Sequence, residues 1–426
     1  MLCIGVFVGI LFLCTCTEPM TNKGISDENR SIPAASLDRI ASENLLPSFD
    51  SLNGTNAEKK AIIIIPAVAV SELYTGSKEH PRKIWLGVNL FDARCDANGQ
   101  PVVDSYPLDD SVSPYGAFGI YKKLVDLLHE KNDKQYGRSR EYEVRFFSYD
   151  WRLSCQNSAR RLDQFIKENG YSRVVLVAHS LGGIVASYYM AENGYDKIEK
   201  FISIGTPFFG APKTLHTFED GKLFNNRFAN LFHVDDAIVK KIAPNTPALY
   251  ELLPNKEFFR EGNGYIYRSQ NEPLDESSTW DFIKERPWCN DALYEQAQCT
   301  YAKQYEKNTI SGVYSDIQNN VVDFYLIAGY GRETVTGLSY DEDGFVGTVK
   351  GDGDGSVPLY SATMGHASFK RLPYFVENVK HSKLAMLDGM CQLIWNLIEG
   401  QGDSADYAAG CEDLTISRTV EIPDTA

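Results

Sequence analysis

The sequence predicts an α/β fold with a mostly parallel central sheet, helices on both faces of that sheet and an inserted cap or lid. Three observations predict it. Short continuous runs of aliphatic residues, typical of strands buried on both faces, alternate with segments of helical periodicity. A Gly-rich turn around residue 180 joins one of these runs directly to a helical segment. Between 207 and 320 the alternation is lost, which indicates an insertion.

The composition is that of a large folded protein. The chain has 426 residues, of which 43% are hydrophobic and 12% aromatic, enough for an extensive core. The formal net charge of −15 provides no basic footprint, so nucleic acid is a poor candidate partner. Any contact with a membrane must therefore rely on apolar surface.

The N-terminal region is predicted to precede the folded core. Residues 1–16 are apolar over the length of a signal-peptide hydrophobic region and are too short to span a membrane, so we expect a signal peptide or a lipoprotein-type anchor. Residues 17–58 are rich in Ser, Asn, Asp and Pro without a sustained period, which is typical of a flexible leader. The expected route is the secretory pathway, ending in secretion or attachment to the cell envelope or a membrane.

The core elements follow in order. Buried strands are predicted at 61–65, 144–149, 174–177, 201–204 and 321–328. Helices are predicted near 120–128, 159–166, 184–189 and 384–398, the second of them capped by Ser154. The chain is thereby divided into a first core half with a lid loop at about 68–115, a cap insertion, a second core half and a C-terminal tail, at 59–206, 207–320, 321–400 and 401–426.

Six cysteines follow the N-terminal segment, an even number that suits an oxidising compartment. Cys289 with Cys299 is the first candidate disulfide and Cys391 with Cys411 the second, and buried free thiols are the alternative. Because the sequence has no CxxC spacing, it supports neither a zinc site nor a redox motif of that kind. We expect no metal and no cofactor.

Ser180 is the candidate nucleophile. It lies in the run Ala178-His179-Ser180-Leu181-Gly182, between a strong strand and a helix. Small residues are needed at 178 and 182 because the serine occupies a tight strand-to-helix turn. In this context the turn is typical of the nucleophile elbow of an α/β-hydrolase fold, and an ordinary Gly-rich turn is the alternative. His179 is interpreted as a structural neighbour, since adjacent residues in such a turn point in different directions.

Two backbone N–H groups are predicted to stabilise the oxyanion. The first belongs to Leu181, at the N-terminus of the helix that follows the nucleophile, where N–H groups point at the developing charge. The second is expected from the loop after the first core strand, and Val68 is proposed from its position alone.

The serine hydroxyl needs a base, and the base needs a carboxylate to orient it. In this fold the order along the chain is serine, acid, histidine. The loop 351–358 follows a predicted strand and provides Asp354 as the first candidate acid and Asp352 as the second. His381 stands before the last predicted helix and is the first candidate base, with His366 as the alternative.

The same acidic loop raises the alternative of calcium binding, because Asp alternates with Gly there. An EF-hand loop needs Gly where this chain has Val357 and Glu where it has Thr363. Calcium is therefore the less favoured interpretation.

The most telling motif is Tyr149-Asp150-Trp151-Arg152-Leu153, which lies ahead of the elbow. It accompanies Ile65-Pro66 with Ser71-Glu72-Leu73, the elbow itself, Ser203-Ile204-Gly205-Thr206-Pro207 with Gly210, the loop 351–358 and His381. Together these segments, spread over most of 61–399, resemble the lecithin:cholesterol acyltransferase family, which includes lysosomal phospholipase A2 and phospholipid:diacylglycerol acyltransferases. The resemblance implies a nucleophile at Ser180, an acid at Asp354, a base at His381, and oxyanion donors at Val68 and Leu181.

The chain also departs from that family. Members usually have Gly after the proline that ends the first strand, where this chain has Ala67, which bears on the geometry of the second oxyanion donor. Residues 214–320 resemble no member closely, so the choice of acyl donor is not carried over. Asp150 and Arg152 are interpreted as a structural ion pair under the site.

The predicted function is the transfer of a fatty acyl group to water or an alcohol through an acyl-serine intermediate. The resemblance implies a glycerophospholipid donor, and hence a lipid ester substrate and a lipid interface or membrane surface as partners. A triacylglycerol lipase or carboxylesterase is one alternative. A non-catalytic lipid-binding protein on the same fold is another, against which the intact Ser180, Asp354 and His381 set argues.

Apolar residues near the site have two interpretations, an acyl tunnel or lid on one hand and plain core on the other. They are Trp85, Leu86, Leu90 and Phe91 after the first strand, and Phe208, Phe209, Phe224, Phe228 and Phe232 in the insertion.

Overall fold

The computed structural model describes residues 58–420 with gaps at 88, 111–112, 137–140, 224–233, 269–271, 303–309, 343, 366–367 and 405. The expected signal or anchor segment at 1–16, and all but the last residue of the leader at 17–58, lie outside the described residues. Within 58–420, and outside those gaps, no helix has both the length and the apolar character to cross a membrane.

The strands are numbered along the chain. They are β1 (Lys60–Ile65), β2 (Leu73–Thr75), β3 (Arg82–Lys83), β4 (Tyr106–Pro107), β5 (Tyr142–Phe146), β6 (Arg173–His179), β7 (Ile198–Ile204), β8 (Ile266–Arg268), β9 (Glu272–Pro273), β10 (Phe324–Tyr330), β11 (Thr334–Asp341), β12 (Gly344–Gly351), β13 (Tyr374–Glu377) and β14 (Ile416–Ser417). In the part of the chain described, the main sheet has the order β14-β13-β10-β7-β6-β1-β5. Every neighbouring pair in it is parallel except β13 and β14.

The helices of the first core half are α1 (Lys122–Tyr136), α2 (Cys155–Glu168) and α3 (Leu181–Asn193). Further helices are Leu215–Asp220, Asp236–Ile242, Pro247–Glu251, Glu276–Lys284, Asp291–Ala302, Ile310–Gln318, Leu359–Ala362 and Asp388–Ile398. Short 3₁₀ turns are Leu90–Ala93, Ala117–Gly119, Pro212–Thr214, Ala243–Asn245, Lys256–Gly262, His381–Lys383 and Gln401–Asp403.

Both faces of the main sheet are covered, which explains why β1 is an uninterrupted apolar run. Ile62 and Ile64 pack in one core cluster with α1 and the helix Asp388–Ile398. Ile63 and Ile65 face the opposite way and pack with α2 and α3. The alternation of side chains along a strand thus buries every residue of the run. The predicted α/β-hydrolase arrangement, a mostly parallel sheet between two helical layers, is confirmed.

Two smaller sheets lie outside the predicted strand pattern. One has the order β12-β11-β8-β9 and joins two strands that precede residue 320 with an antiparallel hairpin that follows it. The other, β3-β2-β4, lies within the loop predicted at about 68–115. The segment expected as a C-terminal tail contributes β14, which pairs with β13 at the edge of the main sheet.

The last core helix was predicted over 384–398 and begins later, at Asp388. Leu387 has an extended backbone with ψ of 146°, which prevents the helix from reaching back to Leu384. The residues before it form the 3₁₀ turn His381–Lys383, in which the N–H of Leu384 donates to the carbonyl of His381. The strand predicted at 144–149 also ends early, because the N–H of Tyr149 donates to Ser71 Oγ instead of a neighbouring strand.

Neither candidate disulfide is formed, which corrects that expectation. Cys289, Cys391 and Cys411 carry free thiols. Burial raises the pKa of Cys289 and of Cys391 to about 12, and that of Cys411 to about 11. These three side chains therefore behave as small apolar groups in the packing of the protein.

Candidate active site

Ser180 occupies a sharp turn between β6 and α3. Its backbone has φ 57° and ψ −124°, a conformation that is strained for a residue with a side chain. The N–H of Ser180 donates to the carbonyl of Ile204 over 2.9 Å, which ties the turn to the end of β7. The side chain is buried but not sealed, with 5% of the residue exposed. This geometry is that of a nucleophile elbow.

Two glycines at the start of α3 let the helix approach the sheet. A Cβ at Gly182 would collide with the backbone carbonyl oxygen of Ile65 at the end of β1. A Cβ at Gly183 would collide with the side chain of Thr206, which itself accepts a hydrogen bond from Ser203 over 2.7 Å. The small residues around Ser180 therefore bring the N-terminus of α3 against the carboxyl ends of β1 and β7.

Asp354 and His381 are brought together by two loops that are 27 residues apart in sequence. The Nδ1 of His381 donates to Asp354 Oδ2 over 2.6 Å, and the N–H of His381 donates to the Asp354 carbonyl over 2.9 Å. The other carboxylate oxygen of Asp354 accepts from the N–H groups of Ser356 and Val357 over 2.9 and 2.8 Å. Asp354 is 1% exposed and the His381 side chain 15% exposed.

The second candidate acid has a different role. Asp352 Oδ1 accepts from the N–H groups of Gly331 and Gly353, over 2.6 and 2.7 Å, and so braces the start of the loop. Asp354 is the carboxylate in contact with His381. The alternative base, His366, lies outside the described residues.

Two residues that sequence reasoning missed hold the Asp354 loop in place. Gly205 has φ 54°, and a Cβ there would lie 3.2 Å from both Asp354 Oδ2 and His381 Nδ1. Lys213 donates from Nζ to Gly355 O over 3.3 Å and to Ser356 Oγ over 3.1 Å, and burial lowers its pKa. Gly205 lies in the motif at 203–207, so the sequence carried a signal for its role. No sequence pattern indicated the contact that Lys213 makes.

The loop after β1 carries Val68, the predicted second oxyanion donor. Around it, Tyr149 donates from its hydroxyl to Pro66 O over 2.7 Å, and Trp85 Nε1 donates to Ala69 O over 2.7 Å. The N–H of Ala67 donates to the hydroxyl oxygen of Tyr121 over 2.9 Å. The loop is thus held on both sides of Val68, whose N–H meets no acceptor within the described part of the chain.

His179 is buried beside the elbow, as a structural neighbour was expected to be. Its Nδ1 lies 2.7 Å from the hydroxyl oxygen of Tyr121, and its Nε2 lies 3.1 Å from the carbonyl oxygen of His381. The rings of His179 and His381 have centroids 4.8 Å apart. Because His179 directly precedes Ser180, this contact puts His381 next to the elbow. Burial, and secondly the proximity of His381, lowers the pKa of His179 well below its usual range.

The ion pair expected between Asp150 and Arg152 is formed and buried. Arg152 donates from Nη2 to Asp150 Oδ2 over 2.6 Å and from Nε to Asp150 Oδ1 over 2.8 Å. It also donates to Ala93 O over 3.2 Å and to Ser105 Oγ over 2.5 Å. The guanidinium therefore fastens the loop between β3 and α1 to the core, which is a structural role.

The apolar residues near the site are mostly core. Trp85 and Leu90 are buried, Phe208 packs against Tyr314 with ring centroids 5.1 Å apart, and Phe209 packs against Tyr360 with centroids 6.0 Å apart. Phe91 is the exposed exception at 38%. Phe224, Phe228 and Phe232 lie outside the described residues.

In the described segments of 58–420, no group of three or more His, Cys, Asp or Glu side chains is arranged to hold a metal ion. The chemistry available at the site is that of a serine, a histidine and a carboxylate, with backbone N–H groups at the N-terminus of α3 and in the loop around Val68. Such a set is suited to acyl transfer through a covalent intermediate.

Comparison with known proteins agrees with this chemistry. The lecithin:cholesterol acyltransferase family model matches residues 108–285, a range that includes Ser180. The match extends over 214–285, which corrects the expectation that the whole of 214–320 lies outside the resemblance. Phospholipase A(1) LCAT3 of Arabidopsis thaliana is 22% identical over 249 residues, 49% of this chain and 55% of that protein. Lysosomal phospholipase A and acyltransferase of Bos taurus is 29% identical over 167 residues, 36% of this chain and 39% of that protein. The chain thus spans about half the length, or less, of these relatives.

Among solved structures, the crystal structure of the Tle4–Tli4 complex contains a chain with a TM-score of 0.48 and 14% identity, covering 81% of this chain and 98% of that chain. The mature form of Bacillus licheniformis lipase BlEst2 has a TM-score of 0.33 and 12% identity, covering 81% of this chain and 92% of that chain. The fold assignment itself rests on the strand order and the turn at Ser180.

Proposed function

We propose that the chain is a serine-dependent lipid acyl ester hydrolase or acyltransferase of the lecithin:cholesterol acyltransferase family, whose model matches residues 108–285 and with whose relatives the chain shares 22–29% identity. The observation that carries the proposal is the strained elbow at Ser180 beside the hydrogen-bonded pair of Asp354 and His381. Ser180 follows β6 and His381 follows β13 of the main sheet, and the Asp354 loop lies against the carboxyl end of β10. The three groups therefore meet at the carboxyl edge of this mostly parallel sheet, where loops of open α/β sheets gather functional residues.

In the proposed reaction, His381 takes the proton of the Ser180 hydroxyl as the serine oxygen attacks the carbonyl carbon of an acyl ester. The carbon–oxygen bond to the leaving alcohol breaks, and that alcohol takes the proton back from His381. Water or a second alcohol then gives its proton to His381 and attacks the acyl-serine. This step releases a free fatty acid or a new ester and returns the proton to Ser180.

Asp354 orients the imidazole and stabilises its charged form while His381 carries the proton. Its three donors, from His381, Ser356 and Val357, support this role. We propose that the oxyanion is bound by the N–H groups of Leu181 and Val68. Leu181 lies in the first turn of α3, where N–H groups have no intrahelical acceptor, and hydrogen bonds hold the loop on both sides of Val68; both features support that assignment.

We propose a glycerophospholipid as the acyl donor, met at a lipid interface or membrane surface, and the secretory pathway as the route of the protein. The matched relatives are named a phospholipase A(1) and a lysosomal phospholipase A and acyltransferase, which supports a phospholipid ester and a secretory route. The apolar segment at 1–16 supports the route independently.

Covalent labelling by a fluorophosphonate probe tests the nucleophile. We expect the wild-type protein to label and Ser180→Ala to lose the label entirely, because the probe reacts only with an activated serine. Ser187→Ala is the matched control, since it removes a buried hydroxyl from the same helix and should label like the wild type. A folded wild-type protein that does not label would mean that the chain is a non-catalytic member of the fold.

A doubly labelled phospholipid, presented in vesicles with and without a lipid alcohol, tests the reaction. Released fatty acid indicates hydrolysis, and acylated alcohol indicates transfer. The position of the label that is lost identifies which ester is cleaved. Turnover of triacylglycerol or a soluble ester in preference to the phospholipid would replace the proposed donor by that of a lipase or carboxylesterase.

A further inference from the structure

A chain of buried polar groups connects the loop after β1 with the loop that carries His381. The N–H of Ala67 meets the hydroxyl oxygen of Tyr121 at 2.9 Å, and that oxygen lies 2.7 Å from Nδ1 of His179. The Nε2 of His179 lies 3.1 Å from the carbonyl oxygen of His381. Tyr121 is fully buried and His179 nearly so. The path runs directly behind the Ser180 turn.

The protons along this path can be assigned from the groups at its ends. The Ala67 N–H can only donate, so the Tyr121 oxygen accepts from it, and the single hydroxyl proton of Tyr121 remains to be donated to Nδ1 of His179. The His381 carbonyl can only accept, so Nε2 of His179 must carry a proton. His179 is thus neutral and in the Nε2–H form, with both ring nitrogens satisfied.

We propose that Tyr121 and neutral His179 form a positioning relay that holds the oxyanion loop and the His381 loop in register with each other. The proposal rests on the proposed function, since it assigns His381 as the base and the loop around Val68 as an oxyanion donor. Neither Tyr121 nor His179 touches the reacting atoms. Tyr121 acts through the backbone of Ala67, the residue before Val68, and His179 acts through the backbone and the ring of His381.

The backbone of His381 shows what the relay adds. Its N–H donates to the carbonyl of Asp354, and its carbonyl accepts from Nε2 of His179 in addition to the N–H of Leu384, so the residue is fixed at both ends. The 4.8 Å ring contact further restricts the His381 imidazole. Without the relay, the His381 imidazole keeps its hydrogen bond to Asp354. Its position relative to Ser180 and to the loop around Val68 is then no longer fixed.

Neutrality of His179 is part of the arrangement. When His381 takes the serine proton it becomes positively charged beside His179, and a second positive charge there would oppose the step. Protonation of Nδ1 would also leave the Tyr121 hydroxyl proton without its acceptor. Burial lowers the pKa of His179 well below its usual range, which favours the neutral form that the hydrogen bonds require.

A labelling series tests the kinetic role. We expect Tyr121→Phe to slow fluorophosphonate labelling of Ser180 and kcat for a soluble ester by about tenfold, with KM nearly unchanged, because a small misplacement of catalytic groups lowers the rate more than binding. His179→Gln keeps an N–H near the position of Nε2 but has no acceptor at the position of Nδ1, where Tyr121 donates, and should lose a similar factor. The double variant should be no slower than either single variant, since both break the same link.

Tyr374→Phe is the matched control. It also removes the hydroxyl of a fully buried tyrosine, one that donates to Gly402 O at the amino end of β13, away from the site. It should cost stability as Tyr121→Phe does, yet label at the wild-type rate. If Tyr121→Phe labels as fast as this control, the relay has no role in positioning and the proposal is overturned.

Imidazole ¹⁵N chemical shifts of the wild-type protein test the structure of the relay even if Tyr121→Phe fails to fold. We expect one histidine, absent from the spectrum of His179→Gln, to show a protonated Nε2 and an unprotonated Nδ1 across pH 5 to 8. A protonated Nδ1, or titration within that range, would overturn the assignment. A folded wild type that never labels would instead overturn the proposed function, and the catalytic meaning of the relay with it.

Discussion

Asp354 and Glu251 are carboxyl groups buried to nearly the same degree in different regions, with 1% and 3% of each residue exposed. Asp354 lies in the loop at the carboxyl edge of the main sheet and accepts from three donors, the N–H groups of Ser356 and Val357 and the ring of His381. Glu251 ends a helix of the inserted region and accepts from the backbone N–H of Cys155, at the start of α2.

The two sites differ in how many hydrogen-bond donors surround the carboxyl group. Burial raises the pKa of Glu251 to about 7, against the smaller opposing effect of its hydrogen bonds with Cys155. A buried carboxylate is tolerated where donors surround it, and is otherwise disfavoured. The Asp354 loop is therefore organised around a carboxylate that serves a histidine, whereas the Glu251 site accommodates a carboxyl group that holds a helix N-terminus.

The largest expected effect separates these two roles. Asp354→Asn should lower kcat by about 10⁴-fold, because the amide cannot hold the imidazole in its productive form or stabilise its charge. Glu251→Gln should leave kcat within a few-fold of the wild type. Steady-state kinetics on a soluble ester measures both.

Asp352→Asn is the control within the same loop. It retains an oxygen that can accept from Gly331 and Gly353, so activity should stay close to that of the wild type. If Asp352→Asn lost as much activity as Asp354→Asn, the assignment of the acid would be wrong.

The next effect concerns stability and its dependence on pH. Because the folded-state pKa of Glu251 is above its usual value of 4.5, the protein binds that proton more tightly when folded. The associated stability is fully present below pH 4.5 and is lost as pH rises through about 7. Glu251→Gln has no such loss and retains an acceptor for Cys155, so it should exceed the wild type by up to about 3 kcal/mol above pH 7.

Urea unfolding of both proteins at pH 5, 6, 7 and 8 checks this expectation. The difference in the free energy of unfolding should grow with pH and level off above 7. A constant difference at every pH would mean that Glu251 ionises as easily in the folded protein as in the unfolded chain, which would contradict the expected effect of its burial.

The candidate site at the carboxyl edge of the main sheet was largely predictable because most of its signals are local. The run at 174–177 is part of a strand, Ser154 caps α2 by accepting from the N–H of Asn157 over 3.2 Å, and the turn at Ser180 has the expected form. The order of serine, acid and histidine along the chain pointed to Asp354 and His381, which lie in contact. Periodicity and turn chemistry act over a few residues, so a single sequence carries them.

The inserted region was not predictable in the same way. The sheet that joins β8 with β11 depends on pairing between segments about seventy residues apart, for example Leu338 with Ile266. No local sequence pattern predicts this pairing. The sequence predicted Tyr121 only as one apolar position of a helix. In the structure its hydroxyl lies 2.7 Å from Nδ1 of His179, 58 residues away. Glu251 likewise contacts Cys155 across 96 residues. Long-range partners of polar groups are set by packing, which periodicity does not encode.

Two glycine-to-alanine substitutions separate the effect of steric contact with Asp354 and His381 from the effect of backbone strain. Gly205→Ala and Gly194→Ala both place a side chain at positive φ, 54° and 73°, and each should destabilise the protein by about 1–2 kcal/mol. At Gly194 the new Cβ meets no described residue within 4 Å, whereas at Gly205 it lies 3.2 Å from both Asp354 Oδ2 and His381 Nδ1. Only Gly205→Ala should therefore lose activity, by at least about tenfold. Equal activity in the two variants would show that Asp354 and His381 can be displaced by a methyl group without loss of function.

The smallest effect concerns the α2 N-terminus that Glu251 serves. Ser154 satisfies the N–H of Asn157 and Glu251 that of Cys155, so two side chains share the unpaired donors of one helix end. Ser154→Ala should cost about 1 kcal/mol of unfolding free energy. Because the two acceptors serve different N–H groups, the cost should be the same in the wild type and in Glu251→Gln, measured by urea unfolding at pH 8. A cost that grew in the Glu251→Gln background would mean that one carboxylate stabilises the whole helix end, and that its charge does more there than hold a single N–H.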